Sequence, residues 1–179
     1  MSEARAYVVA GAESSGTRML TGLLVAAGCS GSADHTQAWD AKPPRADEHP
    51  RIVRRRSVPH GGVWPDLQGV VDELRSCGYA DVRFVVTVRD RHCLESSQVA
   101  AGHVADAAEA AGNIRRCYGH IFSQLAEMPE VACVIAPYES LVLHGAKAAG
   151  KLLEALGLDV PEDMPCFRDE NAKHFGGDS

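Results

Sequence analysis

The sequence has no stretch of about eighteen consecutive apolar residues, the length that a membrane-spanning helix needs. It also has no long apolar segment near its amino terminus, where Met1 to Arg5 lead directly into the first predicted strand. Its six cysteines are scattered, with no Cys-x-x-Cys pair and no metal-like spacing with histidine. We therefore expect a cytoplasmic protein with reduced thiols, no metal and no membrane partner.

The chain also has too little positive charge for a general nucleic-acid-binding protein. Its formal net charge is −6 and its pI is about 5.7. This balance argues against broad binding to nucleic acids or acidic membranes, although local basic sites remain compatible with it. With 179 residues the chain is long enough to bury a core, so residues 1–179 are predicted to form a single domain.

Short apolar runs alternate with helical patterns along the chain, which predicts an α/β fold. The order is strand, helix, long loop, strand, helix, strand, two helices, strand, helix, and it indicates a three-layer parallel sheet with flanking helices. The continuous apolar run 131–136 predicts a strand covered on both faces. The helical pattern over 104–125 looks interrupted around Gly112, and the last helix is expected to begin near Gly145.

Residues 6–24 predict a strand, an anion-binding loop and a helix. Gly11 is expected to stop the strand, since glycine tolerates a positive φ. Ser14, Ser15 and Gly16 then lead into the helix. Backbone N–H groups and the helix dipole would converge on this turn and suit a phosphate or sulfate group. An ordinary glycine and serine turn is the alternative.

The spacing from Gly11 to Gly16 matches the glycines of a Walker A loop, but the residues that follow do not. Thr17 and Arg18 stand where that loop has the Lys that reaches the β- and γ-phosphates and the Ser or Thr that holds magnesium. A P-loop-type nucleotide kinase or hydrolase is therefore disfavoured, and it is kept as an alternative function.

A basic strand follows a long irregular loop. Residues 30–50 are rich in turn residues, and a loop of this length can act as a lid over a ligand. Residues 51–58 predict a strand that ends in a turn containing His60. Arg54 to Arg56 would hold an anion beside the first loop, with His60 as a base at the mouth of the sheet. A charged edge strand is the alternative.

Three patterns occur in order along the chain: Glu13–Arg18 after the first strand, Arg89 with Ser97 eight positions later, and Tyr138–Leu141. They resemble three motifs of the sulfotransferases that use 3′-phosphoadenosine 5′-phosphosulfate. These motifs are the 5′-phosphosulfate loop, the Arg and Ser that grip the 3′-phosphate, and a Tyr-Glu-Asp-Leu segment. The resemblance implies a P-loop NTPase-like fold and transfer of a sulfuryl group to a hydroxyl or amine acceptor. An ion pair between Arg89 and Asp90 is the simpler interpretation of that arginine.

The resemblance also implies which residues form the site. The nucleotide co-substrate would contact Ser14, Ser15, Gly16, Thr17, Arg18, Arg89, Ser97 and Lys173. His60 would take the proton of the acceptor, with positive charge from Arg18 and Arg56. Glu13, Asp40 and Glu48 stay open as alternative bases.

The chain departs from the family pattern at Ser14, where the family has a lysine that neutralises charge as the sulfuryl group leaves. Another cation must replace it, and the candidates are Arg18, Arg55 and Arg56. A non-catalytic nucleotide- or anion-binding protein of the same fold is the second alternative.

Residues 159–179 form a polar tail. It resembles the basic, glycine-containing segment that many family members fold over the adenosine 3′-phosphate, which makes Arg168 and Lys173 candidate contacts. A disordered polar terminus is the alternative.

Overall fold

The computed structural model describes residues 4–33 and 42–175, and its centre is a parallel β-sheet. The sheet has four strands in the order β2-β1-β3-β4, so β1 lies between β2 and β3. The strands are β1 (Arg5–Ala12), β2 (Arg51–Val58), β3 (Asp81–Val88) and β4 (Ala132–Pro137). The predicted parallel α/β architecture is confirmed.

Helices cover the two faces of the sheet. One layer contains α1 (Thr17–Ala26) and α5 (Tyr138–Leu156), and the other contains α2 (Leu67–Ser76), α3 (Arg91–Ala100) and α4 (Ala107–Ala126). A short helix, α6 (Ala172–Phe175), lies in the tail. No helix in the described segments is both long and apolar enough to cross a membrane.

β1 forms the centre of the core because its side chains are apolar on both faces. Tyr7 and Val9 pack towards α1 and α5, whereas Ala6, Val8 and Ala10 pack towards α2 and α4. Such uninterrupted burial is typical of a parallel strand with helices on both sides. The carboxyl end of this strand is therefore held rigidly, and it carries the predicted anion-binding loop.

The prediction that residues 131–136 form a strand covered on both faces is wrong. β4 is an edge strand, and its Val134 and Ala136 pack towards the α1 and α5 layer. The opposite face is exposed, with Cys133 exposed and Ile135 52% accessible. A continuous apolar run therefore did not distinguish a covered central strand from an edge strand.

Three helices differ from the sequence-based expectations. α4 runs without a break through Gly112, because Ile114, Cys117 and Ile121 continue one buried stripe and a single glycine is tolerated inside a helix. The sequence pattern predicts the start of the preceding helix near residue 94, whereas α3 begins at Arg91. α5 begins at Tyr138, and Gly145 marks a kink within it, with φ +49°.

A charged cluster fastens the end of α5 to the amino-terminal edge of the sheet. Arg5 Nε and Arg83 Nη2 donate to the Asp81 carboxylate at 2.5 and 2.9 Å. The same two arginines and the Tyr7 hydroxyl donate to the carbonyl of Leu156, at distances between 2.9 and 3.2 Å. Three donors thus satisfy one carbonyl at the helix end, which would otherwise lack an intrahelical partner.

We expect Asp81→Asn to lower the free energy of unfolding at neutral pH by about 1–2 kcal/mol. Burial raises the pKa of Asp81, but hydrogen bonds from Arg83 and Arg5 outweigh this effect, so the pKa lies below its ordinary value. A carboxyl with a depressed folded-state pKa stabilises the fold above its unfolded pKa of about 3.9, and this contribution is lost as the pH falls through the folded-state pKa.

Urea unfolding at neutral pH and at about pH 3 checks this prediction. The difference between wild type and Asp81→Asn should shrink at the lower pH. Asp47→Asn is the matched control, because the Arg45–Asp47 pair is largely exposed and should contribute less than about 0.5 kcal/mol. A difference that stays constant with pH would contradict the role assigned to Asp81.

Candidate functional site

Three segments meet at the carboxyl edge of the sheet. The loop 13–16 follows β1, the turn 59–62 follows β2, and Arg89 follows β3. Because the strands are parallel and adjacent, their carboxyl ends open on the same edge, where ligands bind in open α/β sheets. The convergence that the sequence predicted is therefore present in the fold.

The loop after β1 has a left-handed backbone at two positions. Ser14 has φ +68° and Gly16 has φ +97°, and Ser14 is the only non-glycine residue with a positive φ in the described ranges 4–33 and 42–175. Gly16 is the N-cap of α1, which has no side-chain cap and no acidic residue in its first turn. The first N–H groups of this helix are thus available to an anion.

A buried hydroxyl pair supports the loop from below. Ser15 is fully buried, and its Oγ lies 2.6 Å from Thr87 Oγ1 on β3. The Tyr118 hydroxyl donates to the Thr87 carbonyl at 2.9 Å. Gly11 lies inside β1 and not in a turn, so the prediction that it stops the strand is wrong. A glycine is needed because a Cβ at position 11 would overlap Thr87 Oγ1 and lie 2.5 Å from Ser15 Oγ.

Arg89 is the polar centre of this edge. Its Nη1 donates to the Ser14 carbonyl at 2.7 Å, and its Nε donates to Asn171 Oδ1 at 2.6 Å. The guanidinium lies over the ring of Tyr138, 4.7 Å from the centroid. Its Nη2 is buried and has no hydrogen-bond partner among the described residues. A buried charged donor without an acceptor is costly, so this atom fits an anionic ligand.

Tyr138 connects the loop, Arg89 and the tail. Its ring lies so close to Gly16 that a Cβ there would be 2.7 Å from Tyr138 Cδ2. Its hydroxyl donates to the Arg168 carbonyl at 3.0 Å and accepts from the Glu170 N–H at 2.9 Å. Sequence reasoning included Tyr138 in a motif but did not assign it to the site. Its position directly after the last strand was the available signal.

The described part of the tail, which ends at residue 175, packs against the site, so the alternative of a disordered terminus does not hold for these residues. Ser97, 7% exposed on α3, lies with its Oγ 2.7 Å from His174 Nε2. Asn171 bonds Arg89, as described above, so two tail residues contact the predicted Arg and Ser pair. Sequence reasoning selected Lys173 instead, which is exposed and donates to Glu170 at 3.0 Å.

The arginines of β2 do not form one cluster, because successive side chains of a strand point to opposite faces. Arg54 lies near Glu73 of α2, and burial lowers its pKa. Arg56 is 5% exposed, shares that face and donates to the Arg55 carbonyl at 3.1 Å. Arg55 points to the other face and donates to the Ala33 carbonyl. β2 is also an edge strand, as the simpler interpretation of its charge expected.

Two of the candidate bases, His60 and Glu13, lie beside or within the loop after β1 but differ in exposure. His60 is exposed in the turn after β2, where its backbone pairs with Val63. The next residue, Gly61, has its N–H 3.4 Å from Glu13 Oε1. The Glu13 carboxylate is 13% exposed and also lies 3.9 Å from His103 Nδ1. Both His60 and Glu13 therefore lie on the site edge.

The remaining predicted residues differ in where they lie relative to the site. Glu48 precedes β2 and lies at the amino-terminal edge, so it is excluded as the base of this site. Asp40 lies outside the described residues, as does part of the proposed lid 30–50. Arg18 is exposed in the first turn of α1, and Thr17 is buried with its Oγ1 3.5 Å from Ser57 Oγ.

Comparison with known proteins identifies the fold. No protein-family model matches the sequence, and no curated protein matches it. Among solved structures, the chain is similar to the sulfotransferase domain from the Synechococcus PCC 7002 olefin synthase. The chain shares the fold of that sulfotransferase domain. The TM-score is 0.55 with 16% sequence identity, and the match covers 98% of this chain and 78% of the other. At this identity the likeness concerns the fold alone.

Proposed function

We propose that this protein is a sulfotransferase that moves a sulfuryl group from 3′-phosphoadenosine 5′-phosphosulfate to a hydroxyl or amine acceptor. The observation that carries the proposal is the buried Nη2 of Arg89, which lacks an acceptor within the described residues. The same guanidinium contacts the loop at Ser14, and its partner Asn171 is three residues from His174, which contacts Ser97. One ribose that carries anionic groups at its 3′ and 5′ positions suits two anion sites joined in this way.

The loop would bind the 5′-phosphosulfate. Its left-handed residues Ser14 and Gly16 and the uncapped start of α1 provide backbone donors, while Ser15 and Thr17 support the loop through buried hydroxyl groups. Arg89 and Ser97 would then bind the 3′-phosphate, because a guanidinium fork and a hydroxyl are strong donors to a dianion.

Arg18 is the cation that we assign to the place of the absent loop lysine. It is exposed in the first turn of α1, immediately beyond the loop, so its side chain can reach a ligand there. Arg56 is nearly fully buried in the layer of α2 and α4, and this placement favours Arg18 over Arg56. Positive charge near the bridging oxygen stabilises the leaving phosphate.

Transfer would proceed in line. The acceptor oxygen or nitrogen forms a bond to sulfur while the bond from sulfur to the bridging phosphate oxygen breaks, and the electron pair leaves with the nucleotide. His60 would take the proton of the acceptor, since it is exposed in the turn beside the loop. Glu13 would hold that turn through the Gly61 N–H. Catalysis would then depend on positioning and charge stabilisation.

Calorimetric titration with 3′-phosphoadenosine 5′-phosphate tests the binding half of the proposal. We expect one molecule to bind per chain without magnesium, because the site provides nitrogen and hydroxyl donors to both phosphates. ADP with and without magnesium is the comparison. Absence of binding of the bisphosphate would reject the proposed function. Tighter, magnesium-dependent binding of ADP would reject it in favour of P-loop nucleotide chemistry.

Incubation with the phosphosulfate donor and a panel of hydroxyl and amine acceptors tests the catalytic half. Release of the bisphosphate that depends on both an acceptor and Arg18 would support transfer. Binding without any transfer would favour the non-catalytic alternative, for which Ser14 in the place of lysine is the specific observation.

A further inference from the structure

The tail forms the outer wall of the predicted 3′-phosphate site. Its short helix α6 packs on α3, where His174 Nε2 lies 2.7 Å from the Ser97 hydroxyl. Asn171 bonds Arg89 Nε through its Oδ1 and donates through its Nδ2 to Glu139 at 2.9 Å. The two residues that the sequence assigns to phosphate binding are therefore each bonded to one tail side chain.

The tail is fastened in this position by contacts that leave Arg89 Nη2 without a hydrogen-bond acceptor among the described residues. The Tyr138 hydroxyl donates to the Arg168 carbonyl and accepts from the Glu170 N–H, so it holds the backbone on both sides of Asp169. Asn171 is buried, and its N–H donates to Asp169 Oδ1 at 2.8 Å. These bonds do not involve Nη2, so this buried atom keeps its hydrogen-bonding capacity for a ligand.

Basic groups predominate around His174. Partial burial lowers the pKa of the His174 imidazole, and three basic neighbours lower it further: Arg89, Lys173 and His92. Glu170 acts in the opposite direction, but its carboxylate is already bonded to Lys173 at 3.0 Å. Glu139, from α5, is bonded to Asn171 and to the Asp90 N–H. When a phosphate dianion enters the site, its negative charge favours the protonated form of the imidazole. Protonation gives the second ring nitrogen an N–H group, which can donate to the phosphate.

We propose that His174 is a ligand of the nucleotide 3′-phosphate and takes up a proton when that phosphate binds. This inference rests on the proposed function. Protonated His174 would donate to the phosphate beside Arg89 Nη2 and Ser97, and the uptake of a proton would make affinity depend on pH. His174 would then distinguish a 3′-phosphorylated nucleotide from one that lacks this group.

The sign of the pH dependence follows from linkage. The free site holds His174 neutral near pH 8, and the complex holds it protonated, so binding takes up a proton and strengthens as the pH falls. The phosphate monoester itself has a second pKa of about 6, which sets the lower limit of the useful window. We expect the affinity for 3′-phosphoadenosine 5′-phosphate to rise roughly tenfold from about pH 8.5 to pH 6.5.

Calorimetry with 3′-phosphoadenosine 5′-phosphate at these two pH values, in buffers of different ionisation enthalpy, tests the inference on the wild-type chain. The dependence of the observed heat on the buffer reports proton uptake, which should average about half a proton per site between the two pH values, as a tenfold change over two pH units requires. His174→Gln should keep a hydrogen bond to Ser97 but lose both the uptake and most of the pH dependence. Adenosine 5′-phosphate, which has no 3′-phosphate, should show neither effect with the wild type.

His144→Gln is the matched control, because it removes another histidine from an exposed position on α5. It should bind like the wild type. If the bisphosphate does not bind at all, the proposed function fails. If it binds and His174→Gln has the pH profile of the wild type, only the role of His174 fails. Tighter binding by His174→Gln would show that the tail competes with the nucleotide, and it would also overturn the inference.

Discussion

Replacing Arg89 by alanine is expected to weaken binding of 3′-phosphoadenosine 5′-phosphate by about 100-fold. The side chain offers a buried Nη2 to the ligand, and hydrogen bonds to a charged group contribute about 1.5–3 kcal/mol each. The substitution also removes the donors to the Ser14 carbonyl and to Asn171, so the loop and the tail lose their common support. Both phosphate sites should therefore be weakened by one change.

Calorimetric titration compares three variants at constant pH and salt. Arg89→Lys should recover only part of the affinity, since an ammonium group cannot bond the loop, the tail and a phosphate in one plane. Arg91→Ala is the control two residues away, because Arg91 is exposed and pairs with Glu95 on the same helix. Equal affinity of wild type and Arg89→Ala would remove the observation on which the proposed function depends.

The order of the elements was predictable from the sequence because apolar periodicity reports it directly. β1 reads as a continuous apolar run, and α4 shows one buried stripe from Ile114 to Ile121. Whether helices cover one or both faces of β4 was not predictable in the same way. Its run 131–136 is as apolar as that of β3, and only the sheet order places it at an edge.

The site was predictable where a function depends on local spacing. Arg89 directly follows β3, and Ser97, eight positions later, lies in the helix α3 that comes next. This local arrangement places both residues at the same edge of the sheet. Asn171 and His174 reach the same edge from a tail and lie 82 and 77 residues along the chain from their partners Arg89 and Ser97. No local pattern reports a contact of that sequence separation.

Two residue types misled the sequence interpretation for physical reasons. Arg54 to Arg56 look like one basic cluster in the sequence, but strand alternation sends their side chains to opposite faces of β2. Gly11 looks like a turn residue, yet its requirement is the space occupied by Thr87 and Ser15 from neighbouring segments. A glycine needed for close approach and a glycine needed for positive φ have the same letter, and only the contacts separate them.

Gly11→Ala is expected to lower the free energy of unfolding by about 3 kcal/mol. Gly11 lies near the end of the central strand, where an added methyl group would overlap Thr87 Oγ1 and lie 2.5 Å from Ser15 Oγ and 3.0 Å from the Thr87 carbonyl. The last of these atoms belongs to the backbone of β3 and cannot rotate away. Relief would require β1 and β3 to separate or the buried Ser15–Thr87 pair to break.

Urea unfolding of Gly11→Ala in the wild-type and Thr87→Ala backgrounds separates these effects. Thr87→Ala removes the overlapping hydroxyl, so the cost of Gly11→Ala should fall by about 1 kcal/mol or more in that background. Gly119→Ala is the control, because position 119 lies in α4 with open space around a new Cβ and should gain up to about 1 kcal/mol. If Gly11→Ala proved as stable as the wild type, then Gly11 would not be needed for the close approach of Ser15 and Thr87. The buried hydroxyl pair would then lose its assigned role as the support of the anion-binding loop.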